Sequence, residues 1–257
     1  MVSKTYFMIA TNGYHEFALR LLNSVEWEKI KLSMSKFIVL TDQPEDFSST
    51  FADEVSSGYL KVCEISSLQW PYATLLRYSL MLDHFSLVDT PYVGYIDADM
   101  VIVNTANFLA IPKDGEHHRL FLTAHPGYYG VSKVKRVLLT LGRFCIYEKR
   151  KTSAAYVKFS QRQSEYVCGG HWFGELSAIR ALLTTLAQSV QRDLESGIIA
   201  LHHDESHLNS YRQGVDYYLL DPRWAYAPGH GKFLSDEPIV EVVDKEPEWF
   251  SKRTSIK

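Results

Sequence analysis

Apolar and polar positions alternate along the first third of the chain between a strand rhythm and a helix rhythm. Thr5–Thr11 is a short apolar run that stops at the turn dipeptide Asn12-Gly13. Phe17, Leu21 and Val25 then recur at helical spacing, with Ala18 and Leu22 beside them. Phe37–Leu40 is a β-branched and aromatic run halted by Asp42-Gln43-Pro44, and Tyr59–Ile65 fits a further strand. Pro71 opens a helix carrying Leu75, Leu76 and Met81, because proline is tolerated in a first turn. Strands alternating with helices predict an α/β fold with a mainly parallel sheet covered by helices.

The pattern continues with one long strand predicted over Tyr92–Val103, interrupted by Asp97 and Asp99. Leu120–Ala124 reads as another strand and leads into His125-Pro126-Gly127. Between Ser132 and Ser153 the periodicity weakens while Lys133, Lys135, Arg136, Arg143, Lys149, Arg150 and Lys151 gather against Glu148 alone. That stretch is read either as a mobile loop with a short helix or as a solvated surface. Leu176, Ile179, Leu183, Leu186 and Val190 mark an amphipathic helix ended near Gly197. No repeat or linker divides the chain, so residues 1–257 are expected to form a single domain.

Composition narrows the function classes. At 257 residues the chain buries a sizeable core unaided, and a net charge of −3 provides no basic field to recruit nucleic acid. Cys63, Cys145 and Cys168 show no metal spacing, which favours a reducing compartment. The N-terminus lacks a secretory pattern, and no run of about 18 apolar residues occurs, so a soluble cytoplasmic protein without a transmembrane segment is expected.

Two acidic pairs carry the chemistry. In a strand, Asp97 and Asp99 would point to one face, where two like charges require a cation or a proton. Carboxylates at a strand's C-terminal end suit a hard divalent ion, Mn or Mg, shared with phosphate oxygens. Nucleotidyltransferases and phosphohydrolases also use paired aspartates, so the pair selects no reaction. The segment His202–Asn209 brings together His202, His203 and His207 without a common zinc spacing. Its Asp204-Glu205 either begins a helix or faces a polar ligand.

The blocks FIVLTDQP (Phe37–Pro44), Trp70–Arg77, YIDAD (Tyr95–Asp99), HPGYYG (His125–Gly130), Tyr147–Tyr156, CGGHWFG (Cys168–Gly174) and HDESHLN (His203–Asn209) stand in one order. In that order the chain resembles glycosyltransferase family 6, the retaining α-1,3-galactosyl- and N-acetylgalactosaminyltransferases that include the blood-group A/B enzymes. The resemblance implies a GT-A fold, a Rossmann-like nucleotide-sugar-binding mixed sheet flanked by helices. Residues 1–103 would be mainly the nucleotide-binding half, and 104–257 mainly the acceptor-binding half with a C-terminal tail. By position, Ile9, Ala10, Thr11 and Tyr14 look like the uridine segment, and Arg77 matches a donor-contacting arginine. Asp97 and Asp99 match the Mn-binding pair, and Lys245 is similar to a lysine that closes over the diphosphate. Asp204 resembles the residue that holds donor hydroxyls, and Glu205 the catalytic glutamate, as nucleophile or as electrostatic support. His125 matches an acceptor-contacting histidine.

Departures from the family fall on the acceptor side. His202 replaces a tryptophan, Ile146 a threonine, and Ala-Tyr-Ala around Tyr226 a Trp-Asp; the basic stretch after HPGYYG is longer than expected. Cys168, Gly169 and Gly170 occupy the region that separates galactose from N-acetylgalactosamine, and the missing Cβ at Gly170 is expected to leave room for an acetamido group. The resulting expectation is a Mn-dependent retaining hexosyltransferase. It would use UDP-GalNAc, with UDP-Gal as the second choice, on a galactoside-type glycan acceptor, fucosylated or plain. The basic stretch and a tail with Lys245, Lys252 and Arg253 would close over the donor. A non-catalytic glycan-binding protein and a D-x-D nucleotidyltransferase are the alternative readings.

Overall fold

The computed structural model describes residues 2–141, 144–162, 165–228 and 237–243. Its strands are β1 (Lys4–Ala10), β2 (Lys36–Thr41), β3 (Leu60–Glu64), β4 (Tyr92–Ile96), β5 (Met100–Ile102), β6 (Leu120–Ala124), β7 (Val167–Glu175), β8 (Tyr218–Leu220) and β9 (Val240–Val242). The helices are α1 (His15–Asn23), α2 (Trp27–Ser33), α3 (Pro44–Thr50), α4 (Ala52–Ser56), α5 (Tyr72–Leu75), α6 (Arg77–Asp83), α7 (Thr105–Leu109), α8 (Lys133–Thr140), α9 (Leu176–Glu195) and α10 (His203–Tyr211).

Seven strands form one sheet in the order β3-β2-β1-β4-β7-β6-β8, while β5 and β9 pair separately. The β3, β2, β1 and β4 strands are mutually parallel, β6 and β8 are parallel, and β7 runs antiparallel to both β4 and β6. The architecture is a single-domain mixed α/β fold of GT-A type. Alternation along the strands feeds two cores. Tyr6, Met8, Phe37 and Val39 face one layer with Ala18 and Leu21 of α1. Phe7, Ile9, Ile38 and Leu40 face the other with Tyr78 and Met81 of α6 and Leu183 of α9. Near-continuous apolar runs such as Phe37–Leu40 follow from being covered on both faces.

Strand order reverses direction between β1 and β4, since β2 and β3 lie on one side and β4 on the other. Open α/β sheets leave a crevice at the carboxyl ends of the strands at such a point. The C-terminal ends of β1, β4 and β6 share that edge, and antiparallel pairing brings the start of β7 to it as well.

Candidate active site

Asp97 and Asp99 lie at this edge, in a different setting from the one the pattern predicts. Tyr92–Val103 is two strands in two sheets, β4 and β5, joined by a tight turn at Ala98-Asp99. Continuing β4 through both aspartates would have driven charged groups into an apolar layer, whereas a turn leaves both half-buried at the crevice. The Asp97 amide donates to the Gly170 carbonyl at 2.8 Å, and the Val243 amide donates to the Asp99 carbonyl at 2.8 Å. The turn is therefore held from two sides, by β7 and by the segment after β9.

Arg77, the first residue of α6 and only 3% exposed, joins this turn to the second acidic pair. Its Nη2 is 3.2 Å from Asp97 Oδ1, its Nη1 is 3.3 Å from Asp204 Oδ2, and Nη1 also donates to the Gly169 carbonyl at 2.8 Å. The guanidinium sits 4.3 Å from the Tyr95 ring centroid, and the Tyr95 hydroxyl donates to Asp97 Oδ1 at 2.9 Å. Burial alone would weaken the arginine's charge, but Asp204, Tyr95 and Asp97 hold its pKa well above the ordinary value.

Asp204 and Glu205 occupy the first turn of α10, where the helix dipole favours carboxylates. The pair begins a helix, as one of its two readings expects. Glu205 Oε2 accepts the Gly169 amide at 2.8 Å. Asn209, one turn further, donates to the carbonyls of Glu205 (2.9 Å) and Val167 (2.8 Å) and accepts the Val167 amide at 3.0 Å, riveting α10 to β7. Burial pushes the Asp204 carboxyl up to about 7 against the pull of Arg77, with Asp97 and Glu205 adding to the rise. Burial also raises Glu205, opposed by the Gly169 amide. Asp204 Oδ2 is buried and makes no hydrogen bond, so its compensation is the ion pair with Arg77 Nη1.

The glycines Gly169 and Gly170 lie inside β7. A Cβ on Gly169 would come within 2.8 Å of Asp204 Oδ2. On Gly170 it would meet Met100 Cε at 2.5 Å and Asp97 Oδ2 at 2.7 Å. The methionine and the aspartate of the neighbouring turn thus pack directly against the Gly170 backbone. Cys168 beside them is buried, and its thiol is pushed up to about 12, chiefly by burial and then by Glu205, so it is not a nucleophile near neutral pH.

Ile9, Ala10 and Thr11 end β1 at the same edge and are buried; Asn12 (φ 54°) and Gly13 (φ 84°) make the turn that leads to half-buried Tyr14 at the start of α1. His125 follows β6, its ring centroid 4.4 Å from that of Tyr128 and 5.8 Å from that of Tyr166. His202 caps α10, 6.3 Å from the Tyr166 ring. Buried Tyr166, missed by the sequence reading, is thus the hub of this aromatic wall, and its pKa is raised by burial and by Glu205. Tyr226 lies beside β9, its amide donating to the Val240 carbonyl at 2.8 Å and its carbonyl accepting the Val242 amide at 2.7 Å. Lys245, Lys252 and Arg253 lie outside the described residues. Tyr95, Met100 and Asn209 were also overlooked, although each sits within or next to a quoted motif.

No group of three or more His, Cys, Asp or Glu side chains suited to a metal ion occurs among the described residues. Asp97 and Asp99 offer only hard carboxylate oxygens. That donor set fits a divalent ion whose remaining ligands are phosphate oxygens and water, the usual arrangement for Mg and similar ions.

Comparison with known proteins agrees with this arrangement. The sequence model described as Glycosyltransferase family 6 matches residues 2–218. The O-antigen biosynthesis glycosyltransferase WbnI of Escherichia coli is 26% identical over 246 residues, covering 95% of this chain and 96% of that protein. The histo-blood group ABO system transferase 2 of Rattus norvegicus is 36% identical over 92 residues, 36% of this chain and 25% of that one. The globoside α-1,3-N-acetylgalactosaminyltransferase 1 of Gallus gallus is 24% identical over 210 residues, 79% of this chain and 55% of that protein.

Proposed function

The chain belongs to glycosyltransferase family 6, and from that premise we propose that it is a retaining hexosyltransferase moving GalNAc, or secondarily Gal, from a UDP-sugar to a galactoside in α-1,3 linkage. The observation that carries the reading is Arg77, which gathers the Asp97 turn and the Asp204-Glu205 turn around one buried cation. Donor groups and reactive groups thereby face a single crevice.

Ile9, Ala10, Thr11 and Tyr14 receive the uridine, with Tyr14 offering a ring to the base. Asp97 and Asp99 would hold a Mn ion, with Mg as the substitute, and that ion would supply positive charge to offset the departing diphosphate. Asp204, ion-paired through Oδ2 with Arg77 but making no hydrogen bond at that oxygen, accepts one from a hydroxyl of the donor sugar. Arg77 keeps Asp204 oriented while it does so. Glu205, fixed at Oε2 by the Gly169 amide, supports the electron-poor anomeric carbon or bonds to it transiently. Its raised pKa reflects partial desolvation, which strengthens its interaction with developing positive charge. The acceptor lies against His125, Tyr166 and His202.

GalNAc is preferred over Gal from the absence of a side chain at Gly170, the position with Cys168 and Gly169 where the family separates the two sugars. The same absence admits Met100 and Asp97, so the comparison of donors decides between a sugar-selective and a packing role. The test is UDP release from UDP-GalNAc and UDP-Gal, each with fucosylated and plain galactosides, in Mn or in chelator. Release of UDP with Mn and GalNAc transfer to the galactoside is expected. Pyrophosphate as the product, or glycan binding without UDP release, would refute the transferase reading.

A further inference from the structure

Helix α8 wears its apolar stripe on the outside. Val134, Val137 and Leu138 stand at i, i+3 and i+4, the spacing that aligns side chains on one helix face, and Leu141 follows as the extended residue that ends the helix. They are 74%, 52%, 52% and 45% exposed, and Phe144, 66% exposed, extends the line. The other face does the packing: Leu139 lies against the cluster of Ile146, Tyr147 and Tyr166, Thr140 is buried, and Arg136 pairs with Glu165. A helix that merely covered a core would have the opposite arrangement.

The sequence flanking the stripe is basic; Lys135 is exposed, while Arg136 is paired with Glu165. From Val131 to Tyr147 the chain has bases at 133, 135, 136 and 143 and no acidic residue, although its overall net charge is −3. Lys149, Arg150 and Lys151 resume the run, and the intervening Glu148 is turned inward and bound by Arg150. Exposed apolar side chains flanked by bases are the combination that settles at the headgroup boundary of an anionic bilayer. A second copy meeting the same face about a two-fold axis would set these bases against one another.

We propose that the exposed face of α8 docks the protein on an anionic membrane surface, the apolar stripe entering the headgroup boundary and exposed Lys135 meeting anionic headgroups. The docking does not depend on the transferase reading; its consequence does. Through Leu139, α8 rests on the cluster containing Tyr166 and Tyr128, so a docked helix holds the Glu205 crevice beside the lipid surface, toward acceptors carried there.

The experiment is cosedimentation of the full chain, without donor or acceptor, with vesicles of equimolar phosphatidylcholine and phosphatidylserine and with vesicles of phosphatidylcholine alone. Partitioning is expected to be roughly tenfold stronger on the anionic vesicles and to fall with added salt. The double substitution Val137→Ser/Leu138→Ser and the single Lys135→Glu are each expected to reduce it by about tenfold. Thermal unfolding checks that the variants fold; if the double one does not, Lys135→Glu at an exposed position carries the test. No preference for anionic vesicles, or binding unchanged by Lys135→Glu, overturns the proposal. So does self-association in sedimentation velocity that the double substitution abolishes, which would assign the face to a second copy.

Discussion

Arg77→Met removes the one cation that the two acidic turns share, and its cost follows from the geometry. Asp204 is 5% exposed and loses a guanidinium at 3.3 Å; Asp97, half-buried, loses one at 3.2 Å and keeps access to water. Stranding a buried partner typically costs about 3–5 kcal/mol. Lost hydrogen bonds to the Gly169 and Thr74 carbonyls would add about 1 kcal/mol each. Protonation of Asp204, already pushed up to about 7, limits the damage by discharging the stranded carboxylate. The net loss expected in urea unfolding near neutral pH is about 3–5 kcal/mol, with Arg77→Lys intermediate because an ammonium cannot reach several directions at once. A double-mutant cycle with Asp204→Asn isolates the pair, and a coupling of roughly 1–3 kcal/mol is expected. A loss under about 1 kcal/mol for Arg77→Met, or strict additivity with Asp204→Asn, would refute the view that Arg77 organises the site.

Other expectations rest on separate features. Glu148 would be raised by burial, but hydrogen bonds from the Arg150 side chain and amide and from the Leu201 amide lower it to about 2. A folded pKa below the unfolded value contributes stability that is present above about 4.5 and lost as pH falls toward 2. Glu148→Gln should therefore flatten the unfolding free energy across that window while lowering it near neutrality. Gly170→Ala should cost about 1–3 kcal/mol by overpacking against Met100 and Asp97 and should weaken Mn-dependent UDP binding in calorimetry. If the GalNAc/Gal ratio changes instead while stability holds, the glycine acts on the sugar. Asp99→Asn should weaken UDP binding in Mn but leave it unchanged in chelator, with thermal stability intact.

The fold was most legible where tertiary context agreed with local pattern. β1, β2, β3 and β6 announce themselves as apolar runs, and α9 by its long helical period. β7 did not, because Cys168–His171 interrupts any apolar alternation; the strand stands because Asp97, Asp204 and Met100 press so closely that only glycine fits at 169 and 170. The aspartate pair was recognised, yet its strand placement failed because the cost of burying two carboxylates ends β4 at Ile96. Asp204 and Glu205 were legible as a helix start. Arg77 emerged only from resemblance to the family, since no local rule marks a helix arginine as buried. Tyr166 carries no local signal at all: its importance arises from loops that bring His125 and His202 around it. The short helix expected after Ser132 is α8, but its outward-facing stripe was not legible, because helical period alone does not say which face is covered.

The central claim is that Glu205 is the reactive group of a sugar transfer performed in the crevice that Arg77 organises. It is tested most directly by comparing wild type with Glu205→Gln in Mn, UDP-GalNAc and a galactoside acceptor, following UDP release and product mass while measuring UDP affinity separately. The account predicts that kcat falls by at least about a thousandfold while UDP binding and folding are retained. Turnover within a few-fold of wild type would contradict it.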